Sequence, residues 1–126
     1  MLLDTCFLID LQREFASTRE GPARQFLQQR AQQVFAISVV SATEFLEGFE
    51  DPKAGEVLLR SLDWLDITPA VALHAARIRW QLRLAGQLIG DFDILIAATA
   101  LAAERTLITR NADHFRRIHG LEVQTY

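Results

Sequence analysis

Four acidic side chains lie where short apolar segments of this sequence end or begin. Asp4 follows the first apolar residues, Glu44 follows a β-branched segment, and Asp93 precedes the most apolar stretch of the chain. A fourth acid, Asp113, follows another short apolar run, with the amide Asn111 two residues before it. Carboxylates that converge raise each other's pKa values by repulsion, so a cluster of them is best explained by a bound cation. All-oxygen ligands without Cys or His suit Mg²⁺ or Mn²⁺ better than zinc.

Each of these acids also has a purely structural interpretation. Asp4 and Asp93 are placed to cap the helices that follow them, and Asp91 competes with Asp93 for the same role. The segment Ser41–Glu44 matches the S-x-x-E capping box, in which the Glu side chain reaches back to the Ser backbone. Asp113 falls in the first turn of a short helix, where an acid is favourable without any function. Only the joint placement of these acids therefore points to a cation.

The elements that must position these acids alternate between short apolar strands and helices. Strands are predicted at 1–3, 35–40, 65–68, 106–109 and 121–125. Helices are predicted at 7–15, 22–33, 41–49, 53–62, 69–85, 93–104 and 112–118, the fifth of them stopped by Gly86. This alternation predicts an α/β fold with a mostly parallel central sheet and helices on both faces. Ligands of such sheets lie outside the carboxyl ends of the strands, which is where the acids fall.

Composition limits the class of protein. The 126 residues suit one domain, which we predict to span residues 1–126, and a chain that is 50% apolar can build a core. The single cysteine excludes an internal disulfide and suggests a reducing compartment. The first residues lack a basic leader segment and no apolar run is long enough to span a bilayer, so we expect no membrane association and a cytoplasmic location. The net charge of −3 is weak evidence about nucleic acid, since twelve of the thirteen basic residues are arginines.

Four blocks of sequence carry a resemblance to a known family. They are Leu2-Leu3-Asp4-Thr5, Ser38-Val39-Val40-Ser41-Ala42-Thr43-Glu44-Phe45, Gly90-Asp91-Phe92-Asp93-Ile94-Leu95-Ile96-Ala97-Ala98-Thr99-Ala100-Leu101, and Thr109-Arg110-Asn111-Ala112-Asp113-His114-Phe115. With these blocks the chain resembles the PIN-domain ribonucleases over essentially its whole length, in particular the VapC toxins of bacterial toxin–antitoxin pairs. The D-x-L-I-A-A core is the most specific element. The resemblance implies a PIN-like three-layer α/β/α fold.

The same resemblance implies roles for individual residues. Asp4, Glu44 and Asp93 would form the acidic triad of a metal-dependent endoribonuclease, with Asp4 and Asp93 as direct ligands of Mg²⁺ or Mn²⁺ and Glu44 close by. Thr5 would support a ligand or a phosphate. Asp113 would be the fourth acid, with Asn111 as a neutral substitute near that position. Cys6 departs from the small polar residue that commonly follows Asp-Thr in the family.

Substrate and partners are expectations of the same kind. Arg110, Arg116 and Arg117 would hold the RNA backbone, a cognate antitoxin would cover the acidic site, and the chain would form a homodimer. A histidine-based ribonuclease that uses His114 and His119 is a weaker alternative, because no lysine stands nearby. A PIN fold that binds RNA or a partner without cleaving is the main alternative, since the fourth acidic position is incomplete.

Overall fold

A computed structural model describes residues 1–126 and contains one sheet of five parallel strands. The strands are β1 (Leu2–Leu3), β2 (Ala36–Ser38), β3 (Asp63–Leu65), β4 (Leu107–Ile108) and β5 (Val123–Gln124). They lie in the order β3-β2-β1-β4-β5, and every adjacent pair is parallel. β1 is therefore central, flanked by β2 and β4, and all three are fully buried.

Seven helices cover the two faces of the sheet. They are α1 (Thr5–Ala16), α2 (Pro22–Gln29), α3 (Val39–Leu46), α4 (Pro52–Leu59), α5 (Pro69–Leu84), α6 (Asp91–Ala102) and α7 (Ala112–Phe115). Successive strand residues point to opposite faces, so Leu2 belongs to a core with α5, α6 and α7, whereas Leu3 belongs to a second core with α1 to α4. The α/β fold class, the parallel sheet and the two helical layers are thus confirmed. No helix has both the length and the apolar character needed to cross a membrane.

One predicted boundary is wrong in a way that matters for the acids. β2 ends at Ser38, and Val39 and Val40 belong to α3 rather than to the strand. Ser38 is the N-cap of α3, because its Oγ accepts a hydrogen bond of 2.9 Å from the backbone N–H of Ser41. The capping box predicted between Ser41 and Glu44 therefore does not form. Glu44 is free of that role and lies in the second turn of α3.

The other differences are shifts of a few residues. The strand predicted at 65–68 lies at Asp63–Leu65, where it pairs with β2, and the helix predicted to reach 33 ends at Gln29. α5 ends at Leu84, one residue before the predicted end, and Gly86 follows the C-cap Ala85 with a positive φ of 65° that a larger residue would resist. α6 begins two residues earlier than predicted, with Gly90 as its N-cap and no side-chain capping bond. The prediction that an aspartate caps this helix is therefore wrong.

Candidate active site

Asp4 directly follows β1 at the centre of the sheet and is held by three donors. The residue is only 3% exposed. Oδ1 accepts from the backbone N–H of Thr5 at 2.8 Å, which makes Asp4 the N-cap of α1 as predicted. Oδ2 accepts from Thr109 Oγ1 at 2.6 Å and from Cys6 Sγ at 3.0 Å. The capping role uses one oxygen only, so it does not exclude a functional role for the same carboxylate.

Glu44 reaches the same region from α3. Thr5 Oγ1 donates to Glu44 Oε2 at 2.6 Å, so the hydroxyl that the resemblance gave a supporting role holds this acid. Burial raises the pKa of Glu44, the hydroxyl of Thr5 opposes the rise, and the charges of Asp93 and Asp4 add to it. The pKa of Glu44 therefore depends on the charges of both other acids of the predicted triad.

Asp93 approaches from the first turn of α6 and is half-buried. Burial raises its pKa first and the charge of Asp4 raises it further, whereas His114 opposes the shift. The Nδ1 atom of His114 lies 3.9 Å from Asp93 Oδ2. The competing acid Asp91 is exposed and pairs instead with Arg79 of α5. The three acids thus come from three elements that the sequence separates by about forty residues or more, and they interact at one edge of the sheet.

The structure does not bring Asp113 to these carboxylates. Its side chain is 95% exposed and forms an ion pair with Arg116 at 3.6 Å. Asn111 lies at the N-cap position of α7 without a side-chain capping bond, and its backbone N–H donates to Thr109 Oγ1 at 3.0 Å. Arg117 donates to the backbone carbonyl of Asp113 at 3.3 Å. Asn111, Asp113, Arg116 and Arg117 are all exposed and lie on or next to α7, whose His114 contacts Asp93, and we call these four residues the outer side of the site.

Sequence reasoning missed Thr109, whose hydroxyl is buried between Asp4 and the loop that follows β4. Register explains its place, because Leu3 pairs with Ile108 and the next residues of the two strands become neighbours. Cys6 was noted only as a departure from the family, yet its thiol donates a hydrogen bond of 3.0 Å to Asp4 Oδ2. Burial and the charge of Asp4 raise the pKa of this thiol.

The histidine pair considered as an alternative acid and base does not share one site. His114 faces Asp93, whereas His119 lines a separate surface depression beside His74 and Trp80. A general acid and base that act on one bond must both be within reach of it. The structure therefore does not favour the histidine-based mechanism.

The chemistry of the donor set fits a hard divalent cation. Asp4, Glu44 and Asp93 offer only carboxylate oxygens. Burial is the first cause of the raised pKa values of Glu44 and Asp93, and neighbouring negative charge, which a cation would offset, adds to it. No three Asp, Glu, His or Cys side chains are close enough together to enclose a metal ion. The three carboxylates therefore lie along an open edge of the sheet and do not form a closed metal site.

Comparison with known proteins supports the fold and identifies the family. The PIN domain family model matches residues 1–121. Ribonuclease VapC1 of Methanocaldococcus jannaschii is 32% identical over 94 residues, which are 72% of this chain and 69% of that protein. The tRNA(fMet)-specific endonuclease VapC of Shigella flexneri is 31% identical over 97 residues, covering 71% of this chain and 74% of the relative.

Two solved structures extend the likeness to the whole fold. VapBC-1 from nontypeable Haemophilus influenzae has a TM-score of 0.82 and 26% identity, over 98% of this chain and 96% of that one. A toxin-antitoxin complex from Klebsiella pneumoniae has a TM-score of 0.75 and 28% identity, over 98% and 95% of the two chains. Since the family model covers nearly all of the sequence and a VapC ribonuclease is 32% identical across more than two thirds of it, the chain belongs to the PIN-domain family, among the VapC ribonucleases.

Proposed function

We propose that this protein is an endoribonuclease that hydrolyses RNA phosphodiesters with Mg²⁺ or Mn²⁺ held by Asp4 and Asp93. One geometric observation carries the proposal: Thr5 donates through its backbone N–H to Asp4 and through its hydroxyl to Glu44, at the carboxyl edge of the sheet. Asp93 lies near enough for the charge of Asp4 to add to the rise in its pKa that burial causes. Repulsion between neighbouring carboxylates destabilises the protein when no cation is bound. Relief of that repulsion contributes to the affinity for a cation. The relatives named as ribonucleases support cleavage over a binding module without activity.

Asp4 and Glu44 would have different roles in the reaction. Asp4 is fixed by Thr109 and Cys6, so its carboxylate keeps one orientation towards the edge of the sheet. Glu44 is fixed through Oε2 by Thr5, which leaves Oε1 without a protein donor and able to orient a water or take its proton. A bound divalent ion lowers the pKa of water and offsets charge that develops on the scissile phosphate.

The outer side of the site is our proposed RNA surface. Arg116 and Arg117 lie at the end of α7 with exposed side chains, and guanidinium groups match phosphate oxygens in a bidentate manner. Asp113, with Asn111 beside it, is our proposed fourth acidic position. Its exposed carboxylate would have to turn towards the rim when RNA and metal bind.

The proposed regulation is that of a toxin, with an antitoxin as partner and a second copy of the chain in a homodimer. An apolar cleft of about 470 Å³ lies between α1, α3 and α4. Its lining includes the aromatic side chains of Phe15, Phe45 and Phe49. The related toxin-antitoxin complex supports a protein partner for this family.

The test is a titration of MgCl₂ and MnCl₂ into wild type and Asp4→Asn/Asp93→Asn, followed by melting temperature and by cleavage of a mixed RNA substrate that includes tRNA. Wild type should gain about 2.7 kcal/mol of stability at a metal concentration one hundred times the dissociation constant. The double variant should gain little and should not cleave. Asp63→Asn/Asp66→Asn is the matched control, because it removes two exposed acids that make no side-chain bonds.

The outcomes separate the alternatives. Cleavage that needs the metal and disappears only in the site variant supports the proposal. Stabilisation by metal without cleavage of any RNA would favour the binding module. A wild type that does not respond to either metal would refute the metal site and leave only the fold.

A further inference from the structure

Asp10 of α1 accepts two hydrogen bonds from parts of the chain that lie far away in sequence. The guanidinium of Arg110, just after β4, donates to Asp10 Oδ2 at 2.6 Å. The hydroxyl of Tyr126, just after β5, donates to the same oxygen at 2.7 Å. We call these three residues the Asp10 clamp. They join one helix to the ends of two neighbouring strands.

Within the clamp, Asp10 and Tyr126 are the more buried side chains and Arg110 is the exposed one. The Asp10 side chain is 18% exposed and that of Arg110 is 57% exposed. The ring of Tyr126 packs edge-on against Phe7, with centroids 4.6 Å apart, and also against Phe26. Burial and the bond to Asp10 raise the pKa of Tyr126, so the phenol remains a donor at neutral pH. A mostly covered carboxylate depends on such partners, because an unpaired charge out of water is costly.

The clamp is connected to Asp4 through the backbone of Arg110. The N–H of Arg110 donates to Cys6 Sγ at 3.3 Å, and Cys6 Sγ in turn donates to Asp4 Oδ2. Thr109, the residue before Arg110, donates to the same Asp4 oxygen. Fixing the Arg110 side chain therefore fixes the short segment that holds Asp4.

We propose that Asp10, Arg110 and Tyr126 are positioning residues that hold the Thr109–Arg110 segment against Asp4, and that Arg110 is not an RNA contact. This inference rests on the proposed function for its effect on turnover, and the clamp itself rests on the geometry. It replaces the role that the sequence suggested for Arg110. The guanidinium of Arg110 is exposed next to the site, but it already donates a hydrogen bond to Asp10 of the same chain.

The two roles of Arg110 predict opposite effects of Asp10→Asn. If Arg110 binds RNA, removing its competitor frees the guanidinium, so KM should fall and kcat should stay the same. If Arg110 belongs to the clamp, Asp10→Asn should lower kcat by roughly tenfold at unchanged KM, below the ~100-fold loss that a 1 Å misplacement can cause. Arg110→Gln should match it, and the double variant should lose no more than either single variant.

Two further variants sharpen the comparison. Tyr126→Phe keeps the packing ring and removes one donor, so it should give a smaller loss in kcat, and Arg110→Lys should recover part of the activity lost in Arg110→Gln. Arg13→Gln is the control, because Arg13 pairs with Asp10 at 3.8 Å from within α1 and is 70% exposed. It removes a positive charge beside the same carboxylate without touching the strand ends, so kcat should stay at the wild-type value.

Amide hydrogen exchange provides a readout that needs no activity. The N–H groups of Arg110 and Asn111 donate to Cys6 Sγ and Thr109 Oγ1, so both should lose protection in Asp10→Asn and keep it in Arg13→Gln. Unchanged protection, or a fall in KM at constant kcat, would overturn the clamp. If wild type shows no metal-dependent cleavage, the proposed function fails, and the exchange of these two amides alone decides the inference.

Discussion

Thr109→Val should destabilise the protein much more than the loss of a buried hydroxyl usually does. The substitution keeps nearly the same shape, so no cavity forms, but it removes the donor at 2.6 Å from Asp4 Oδ2. A hydrogen bond to a charged group is worth about 1.5 to 3 kcal/mol. The N–H of Asn111 also loses its acceptor, at a further cost of about 1 kcal/mol for a partly buried group. The expected loss in the free energy of unfolding is therefore about 2.5 to 4 kcal/mol.

The assay is urea denaturation of metal-free protein at neutral pH, with the melting temperature as a second measure. At about 4 °C per kcal/mol for a domain of this size, Thr109→Val should melt roughly 10 to 16 °C below wild type. Thr99→Val is the matched control: Thr99 is also a buried residue, but its hydroxyl donates to the carbonyl of Leu95 within α6, so the cost should be about 1 kcal/mol or less. If both variants lose the same stability, the bond between Thr109 and the carboxylate has no special strength and the account of how Asp4 is held is wrong.

Three other outcomes follow from the site. Burial and neighbouring charge raise the pKa values of Glu44 and Asp93, so the folded state binds more protons than the unfolded chain above about pH 4, the ordinary carboxyl pKa. Metal-free protein should therefore lose stability from these groups as pH rises through their folded-state pKa values. Urea titrations in EDTA should show that the free energy of unfolding falls more steeply with pH for wild type than for Asp93→Asn. Equal slopes of stability against pH would contradict the pKa shift of Asp93. The thiol of Cys6 is buried with a raised pKa, so iodoacetamide should label it at least about tenfold more slowly in native protein than in urea by mass spectrometry, whereas rapid native labelling would mean an accessible thiolate. Ser38→Ala should cost about 1 kcal/mol in urea denaturation as the loss of an N-cap, and an unchanged free energy of unfolding would contradict the capping role of Ser38.

Local patterns were sufficient for the fold class and for most of the elements. The alternation of short apolar strands with helices determines a parallel sheet, because parallel strands need long crossovers. It also places Asp4 at a strand end and Asp93 at the mouth of a buried helix, as the structure confirms. The sequence failed where two local signals competed: Ser38 and Ser41 are both good caps, and the β-branched Val39 and Val40 extended the predicted strand past the true cap.

What only the tertiary structure decided is which side chains meet. Thr109 and Asp4 are 105 residues apart, and Arg110 and Asp10 are 100 apart. Their contacts depend on β4 pairing beside β1 in one register, and a shift of one residue would turn every side chain to the other face. Helix and strand periods repeat within a few residues, so the sequence determines the elements and the placement of the acids at their ends. The partners of those acids are determined by packing between distant elements, which no local pattern contains.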